Sequence, residues 1–296
     1  MNFQSLPYVI LTGFCFGSGL IALRFGLQQF NPFIYTGLRL FLASLAFLSI
    51  YLIARERYPW PTSGRLWLHS LVLAIIGTAA PTIGIILALQ YLSSGLTGIL
   101  ITTSPALTVI LAHFFLADES LTLKKSLGIT LALSGAILLA LRAESGLPDI
   151  AQANRTGYAI LSVALIGIST SIIYTRKYLR DYASFDFTSL QMFIATLFIL
   201  PISLVMIGLN LEPINLQGIF ALGYSALIGT FTAFLLFYYV ARTYGATTTA
   251  MIGYVNPVAA TLGGILILNE RVTGGMVLGM GLIITGIVII NHQQSR

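Results

Sequence analysis

Two prolines stand inside long apolar runs, each preceded by polar residues: Thr102-Thr103-Ser104-Pro105 and Tyr254-Val255-Asn256-Pro257. A proline within a helix has no N–H to give. A carbonyl one turn earlier loses its donor and must be satisfied by a side chain, water or a ligand. A hydroxyl or amide just before the proline can do this. The bend would expose carbonyls and hydroxyls able to hold a polar solute; the competing reading is a plain packing kink. Tyr254 lies well inside its run, whereas Tyr174 and the Tyr238–Tyr239 pair lie near run ends, where belt and gate roles are equally open. Arg39 is the one basic residue well inside an apolar run. A charge there is costly unless it snorkels or finds a partner, which makes it a functional candidate. Its alternative role is a structural anchor that binds carbonyls at a helix break.

Other chemistry is missing. Asp118, Glu119, Asp186 and Glu270 all sit at run ends, so no carboxylate stands ready as a mid-membrane proton relay. Glu119 and Glu270 each precede a threonine by three residues (Thr122, Thr273), a placement that predicts helix capping and favourable dipole interaction. There is no His-Glu-x-x-His, no Gly-x-Ser-x-Gly and no P-loop. The histidines lie far apart, His113 reading as a packed, hydrogen-bonded one, and Cys15 is alone. No catalytic residue, metal site, disulfide framework or cofactor is expected.

The elements that must position these residues follow from composition. Of 296 residues 57% are hydrophobic and 8% charged, and mean hydropathy is +0.91, against about 25% charged in soluble domains. A soluble enzyme, a nucleic-acid binder and a disordered chain are thereby excluded. The runs are helix-length, so the fold class is an all-α integral membrane protein. Ten transmembrane helices are predicted, at about 6–23, 32–53, 66–89, 96–116, 121–141, 157–174, 185–209, 216–240, 246–268 and 272–290. The first reads as an uncleaved span, since it lacks a basic leader and a small-residue cleavage site. The net charge of +6 reflects basic juxtamembrane residues. With the N-terminus inside, ten of them (among them Arg55, Lys124, Lys177 and Arg242) fall in inner segments, against Arg24, Arg142, Arg155 and Arg271 outside. That asymmetry predicts cytoplasmic termini.

The two halves also match. At an offset of 152, Arg24, Phe33, Thr36 and Phe41 meet Arg176, Phe185, Thr188 and Phe193. At the same offset Ala74-Ile75-Ile76-Gly77-Thr78 meets Ala226-Leu227-Ile228-Gly229-Thr230, and Pro105 meets Pro257. After one deletion the offset is 151, and Glu119, Thr122, Gly128 and Gly135 meet Glu270, Thr273, Gly279 and Gly286. Five spans per half is odd, so the second repeat must enter the membrane from the opposite side. The expected domains are a first five-helix repeat at 1–148 and a second at 149–296. Inverted repeats are a transporter device, with a solute site near the midplane between them. Small residues at helical spacing (Gly13 and Gly17; Gly253, Asn256, Ala260 and Gly264; Gly275 and Gly279) suit close helix packing, and the stripe around Asn256 also suits a cavity wall.

At these residues the chain resembles the drug/metabolite transporter superfamily, and within it the EamA-type ten-helix exporters. That family commonly has Trp-Gly-Ser in its first span with a lysine eight residues after the tryptophan; Phe16-Gly17-Ser18 and Arg24 stand there. An arginine in the second span (Arg39) and the doubled pattern of proline, terminal glutamate, threonine and glycine-rich last helix complete the likeness. The resemblance implies export of an amino acid or other small metabolite across a bacterial-type inner membrane. It also implies a central cavity formed by spans 1, 3, 4, 6, 8 and 9, so that Phe16, Thr78, Thr102, Ser104, Pro105, Tyr174, Tyr238, Tyr254, Asn256 and Pro257 are its candidate lining. The implied partners are a small-molecule solute and the lipid bilayer, not nucleic acid, with the chain a monomer or homodimer. A lipid or lipid-linked sugar flippase is the alternative function, for which Arg39 alone could hold a headgroup; an intramembrane enzyme is a remote third.

Overall fold

The computed structural model describes residues 3–116, 121–148, 155–210 and 212–292. Among them the regular structure is helical throughout: α1 (Leu6–Gly26), α2 (Pro32–Ile53), α3 (Gly64–Leu73), α4 (Ala80–Ala88), α5 (Ser94–Ile101), α6 (Ser104–Phe115), α7 (Leu123–Leu141), α8 (Arg155–Tyr178), α9 (Ser184–Ile207), α10 (Leu216–Ala226), α11 (Ala233–Ala250), α12 (Ile252–Leu268) and α13 (Gly274–His292). Eight helical stretches are long and apolar enough to cross a membrane, and two shorter apolar helices, Ile252–Leu268 and Gly274–Ile290, complete the set. Large apolar side chains such as Val205 (87% exposed) and Leu266 (81%) cover the outside. In water such a surface would aggregate; in lipid it is the solvated face.

Local chemistry starts the helices where the sequence places polar punctuation. Asn31 accepts from the Phe33 N–H at 3.0 Å with Pro32 in the first turn, and Ser93, Asn215 and Thr273 accept from the N–H three residues on at 3.0–3.1 Å. Each side chain satisfies one of the donors that a helix start leaves free.

The helix crossings establish inversion directly. A Cβ on Gly128 of α7 would lie 2.6 Å from the Gly286 carbonyl oxygen of α13, and one on Gly135 would lie 2.7 Å from that of Gly279. Numbers rise along one helix as they fall along the other, so these equivalent helices run antiparallel. In the same sense Ser44 of α2 meets Thr196 of α9 (Oγ to Oγ1 3.1 Å), and Tyr51 meets Ser189 (2.8 Å). Ser44 and Thr196 are themselves separated by the 152-residue offset, so a buried residue hydrogen-bonds its own repeat mate across the pseudo-twofold axis.

Several helices differ from the sequence expectation. The third and eighth spans each contain a π-helical segment, Ala74–Ala79 between α3 and α4 and Leu227–Thr232 between α10 and α11. They overlap the matched Ala-Ile-Ile-Gly-Thr and Ala-Leu-Ile-Gly-Thr stretches, starting within one residue of them, so the irregularity is repeated along with the sequence. The fourth span is two helices, α5 and α6, broken at Thr102 and Thr103. The ninth begins later than expected: α11 continues to Ala250, and α12 starts at Ile252.

Candidate functional site

The fourth and ninth spans and the helices crossing them hold most of the candidate residues. At the first break three consecutive hydroxyls turn back on their own helix. Thr102 Oγ1 donates to the Ile99 carbonyl (2.5 Å), Thr103 Oγ1 to Leu100 (2.7 Å) and Ser104 Oγ to Ile101 (2.7 Å). Ser104 supplies the Ile101 carbonyl, the one that Pro105 deprives of a donor, while the Ile99 and Leu100 carbonyls also accept the N–H groups of Thr102 (3.2 Å) and Thr103 (3.0 Å); Pro105 itself sits in the first turn of α6, where no N–H is needed. From α8, Ser169 Oγ donates to the Ser104 carbonyl at 3.1 Å.

The mate of that crossing is built differently. Gly17 of α1 stands where Ser169 stands in α8, and its missing Cβ would lie 2.6 Å from the Asn256 carbonyl oxygen and 2.9 Å from the Ala260 nitrogen. Only glycine allows backbones so close. Pro257 lies inside α12 and removes a donor from the Gly253 carbonyl. Gly253 faces open space, and the buried Asn256 Oδ1 has no hydrogen-bond partner among the described residues. The second repeat therefore offers an open face and an unspent acceptor where the first has spent its hydroxyls. The small-residue stripe divides by depth: Ala260 and Gly264 pack against α1, α5 and Glu270, while Gly253 looks into space.

The remaining candidates scatter around this core. Phe16 packs edge-on to Phe234 (5.5 Å) and Phe237 (6.1 Å) of α11. Thr78 is buried in the first π segment. Tyr254 packs half-buried against the cluster formed by α5 to α8 and α13. Tyr174 is not beside Asn256; it closes the far end of α8, its hydroxyl 2.8 Å from His69 Nδ1, with Tyr178 stacked on His69. The side chain of Tyr238 lies outside the described residues. Arg39 is buried on α2, its Nε without a partner among the described residues.

Two sequence expectations are corrected. Glu270 does not serve its own following helix: Thr273 caps α13. Glu270 is buried and reaches the first repeat, where its carboxylate accepts from the Ser94 N–H (2.7 Å), the Gly95 N–H (3.2 Å) and the Ser94 hydroxyl (2.8 Å). It caps α5, 176 residues away in sequence. Around it Arg24 donates to the Leu89 carbonyl, the Arg271 N–H to Gly146 (2.8 Å) and Thr273 to Glu144 (2.7 Å). This polar seam ties the two repeats at one end of the bundle. Glu119 and Asp118 lie outside the described residues. His113 is exposed, its ring tilted against that of Phe114 at 5.3 Å between centroids, and not packed inside as expected. Sequence reasoning missed His69 and Ser169; the signal for Ser169 was its offset from Gly17.

Antiparallel equivalent helices, doubled prolines and a lipid-compatible exterior define a multi-pass membrane transporter built from two repeats. The EamA-like transporter family model matches residues 5–141 and again 155–292. The chain belongs to that family, whose members are transporters and not enzymes. It is 22% identical over 289 residues to an uncharacterized transporter of Bacillus subtilis, YoaV, covering 97% of each chain. It is 24% identical over 277 residues to an uncharacterized inner membrane transporter of Escherichia coli, YedA, covering 93% of this chain and 86% of that one. A solved structure described only as the crystal structure of a protein matches with a TM-score of 0.66 at 19% identity, covering 97% of this chain and 98% of that one, which establishes the common fold.

Proposed function

We propose that the chain exports an amino acid or other small metabolite across the inner (plasma) membrane. It works by alternating access through a cavity between inverted repeats that divide near residue 148. The cavity is lined by Phe16, Thr78, Thr102, Ser104, Pro105, Tyr254, Asn256 and Pro257, with Tyr174 and Tyr238 towards its cytoplasmic end, and the termini are cytoplasmic. The observation that carries this reading is the conjunction at α12 of a buried amide oxygen without a partner, a carbonyl deprived of its donor and open space at Gly253. Buried polar groups in membranes are normally satisfied, so one left unpaired a turn from an uncovered backbone stretch suits a passing solute. The repeats supply the motion: rocking one against the other about the pseudo-twofold axis exchanges the open end. A monomer or homodimer contains the complete pathway.

Counterflow in proteoliposomes against an amino-acid and nucleoside panel tests this. Uptake of at least one labelled solute, driven only by its own internal pool and persisting without a proton gradient, is the expected result. Flux that requires an inward proton gradient would overturn the uncoupled mechanism, and no flux of any solute would overturn the transport reading. Labelling of single cysteines on intact cells should mark residues 147–155 and spare 58–65; the reverse pattern would invert the topology.

A further inference from the structure

Arg39 lies seven residues into α2, about 10 Å from its start by helix rise. It is 8% exposed, its Nε is sealed without a partner, and its terminal nitrogens make no hydrogen bond to a described residue. The ionisable side chain beside it is Tyr35, one turn away on the same helix face. Tyr35 cannot compensate a cation, because its hydroxyl is held between Ser225 Oγ (2.9 Å) and the carbonyls of Ala221 (3.0 Å) and Ala22 (3.1 Å). No described carboxylate is shown bonded to Arg39: Glu270 caps α5, Glu144 accepts from Thr273, and Asp186 accepts from Tyr51, twelve residues or about 18 Å further along α2. A cation in a low-dielectric interior without a countercharge is costly, and such groups in membrane proteins mark ion or substrate paths.

The direction of the side chain limits the partner. Tyr35, before Arg39, touches α10; Phe47, two turns after it, lies edge-on to Phe231 in the second π segment, 4.9 Å between ring centres. Arg39 therefore faces the eighth span. The lipid face of α2 is the other one, carrying Phe41 and Leu45. Its repeat mate is Gln191, also buried and likewise without a hydrogen bond to a described residue. The two halves thus place one fixed positive charge on one side of the pseudo-twofold axis and a neutral amide on the other.

Building on the transport reading above, we infer that Arg39 is the anchor for a carboxylate on the transported solute. The guanidinium fork matches a carboxylate in two parallel hydrogen bonds and replaces the missing countercharge. The preferred cargo is a small organic acid or amino acid; its amide or ester is a poor one.

The test uses the full chain purified in a neutral detergent, with phenylacetate against phenylacetamide, indole-3-acetate against its amide and leucine against leucinamide as probes, and phosphatidylglycerol as a lipid arm. At least one carboxylate should raise the melting temperature beyond its amide and enter in counterflow. R39Q should lower its apparent affinity about tenfold or more and leave the amide response unchanged, while R39K, a point charge without the fork, should retain part of the preference. Equal response to every acid and its amide in the unaltered protein would overturn the inference, as would a preference that survives R39Q. If R39Q does not fold, an acid preference weakened in R39K supports the inference and an unchanged one overturns it. An Arg39-dependent shift seen with phosphatidylglycerol alone would overturn it in favour of a headgroup. Flux of neutral solutes without an acid preference would remove this inference and leave the transport reading standing; absence of all flux would remove the latter.

Discussion

The fourth and ninth spans carry the same proline at the same place in their repeats and treat it in opposite ways. In the fourth, the helix breaks before Pro105, three hydroxyls donate back to the preceding turn, and Ser104 among them supplies the Ile101 carbonyl that the proline leaves without a donor. In the ninth, the helix runs through Pro257, the Gly253 carbonyl loses its donor and Asn256 Oδ1 stays unpaired. The crossing helices follow suit, with Ser169 donating to the fourth span and bare Gly17 pressed against the ninth. Duplicated architecture does not impose duplicated chemistry. One copy of the bend is a closed structural joint, and the other leaves the Asn256 amide oxygen unpaired among the described residues.

Breaking the support of the fourth span should have the largest effect. Glu270→Ala would strip three hydrogen bonds from the buried start of α5. Charge-assisted bonds are worth about 1.5–3 kcal/mol each, with a further cost for orphaned donors. A loss of 3 kcal/mol or more, ~10-fold per 1.4 kcal/mol in the folded ratio, should appear as a sharp drop in melting temperature. Glu270→Gln should cost less, because its amide oxygen still accepts.

Exchanging the crossing residues comes next. Gly17→Ser installs in the first repeat what the second already has, but its Cβ would meet backbone atoms of α12 that cannot move aside. A cost of about 1–3 kcal/mol is expected from overpacking. Ser169→Ala removes one hydrogen bond and should cost about 1 kcal/mol. Equal melting shifts for the two variants would erase the distinction between the crossings.

The prolines sharpen it. Pro257→Ala returns a donor to Gly253, so thermal stability should hold or rise while flux falls, because one access state loses its bend. Pro105→Ala should change both little, since the first turn of α6 needs no donor. Asn256→Ala should have the smallest effect on stability, within about 1 kcal/mol, and show itself as weaker solute affinity in counterflow. If Pro257→Ala unfolds the protein and Asn256→Ala leaves affinity untouched, the ninth span is packing alone.

The sequence makes some of this legible and hides the rest for physical reasons. Proline, glycine, glutamate and arginine recur at a fixed offset, and an odd number of spans per half forces inversion; hydropathy and arithmetic suffice. The π segments are invisible to hydropathy, because one extra residue per turn leaves an apolar run apolar. Glu270 shows its type and its nearness to Thr273, but not that its carboxylate reaches Ser94. Periodicity tells which face a residue occupies and not which distant helix end meets it. Tyr174 follows the same logic: its place near a span end was readable, its partner His69 was not. The late start of α12 escaped because Ala246–Ala250 read as the opening of the ninth span, whereas the structure keeps them in α11.

The two π segments have a mechanical consequence. A π turn holds one residue more than an α turn needs, and that surplus can be handed along a helix by exchanging hydrogen bonds one at a time. Each transfer screws the downstream helix by about 100° and advances it about 1.5 Å. Both segments sit at tight crossings, where a Cβ on Gly229 would lie 2.7 Å from Gly19 and one on Gly77 2.8 Å from Ser171, so a shift of either segment must carry the crossing helix with it. Residues 74–79 and 227–232 therefore give the bundle a pair of opposed threads.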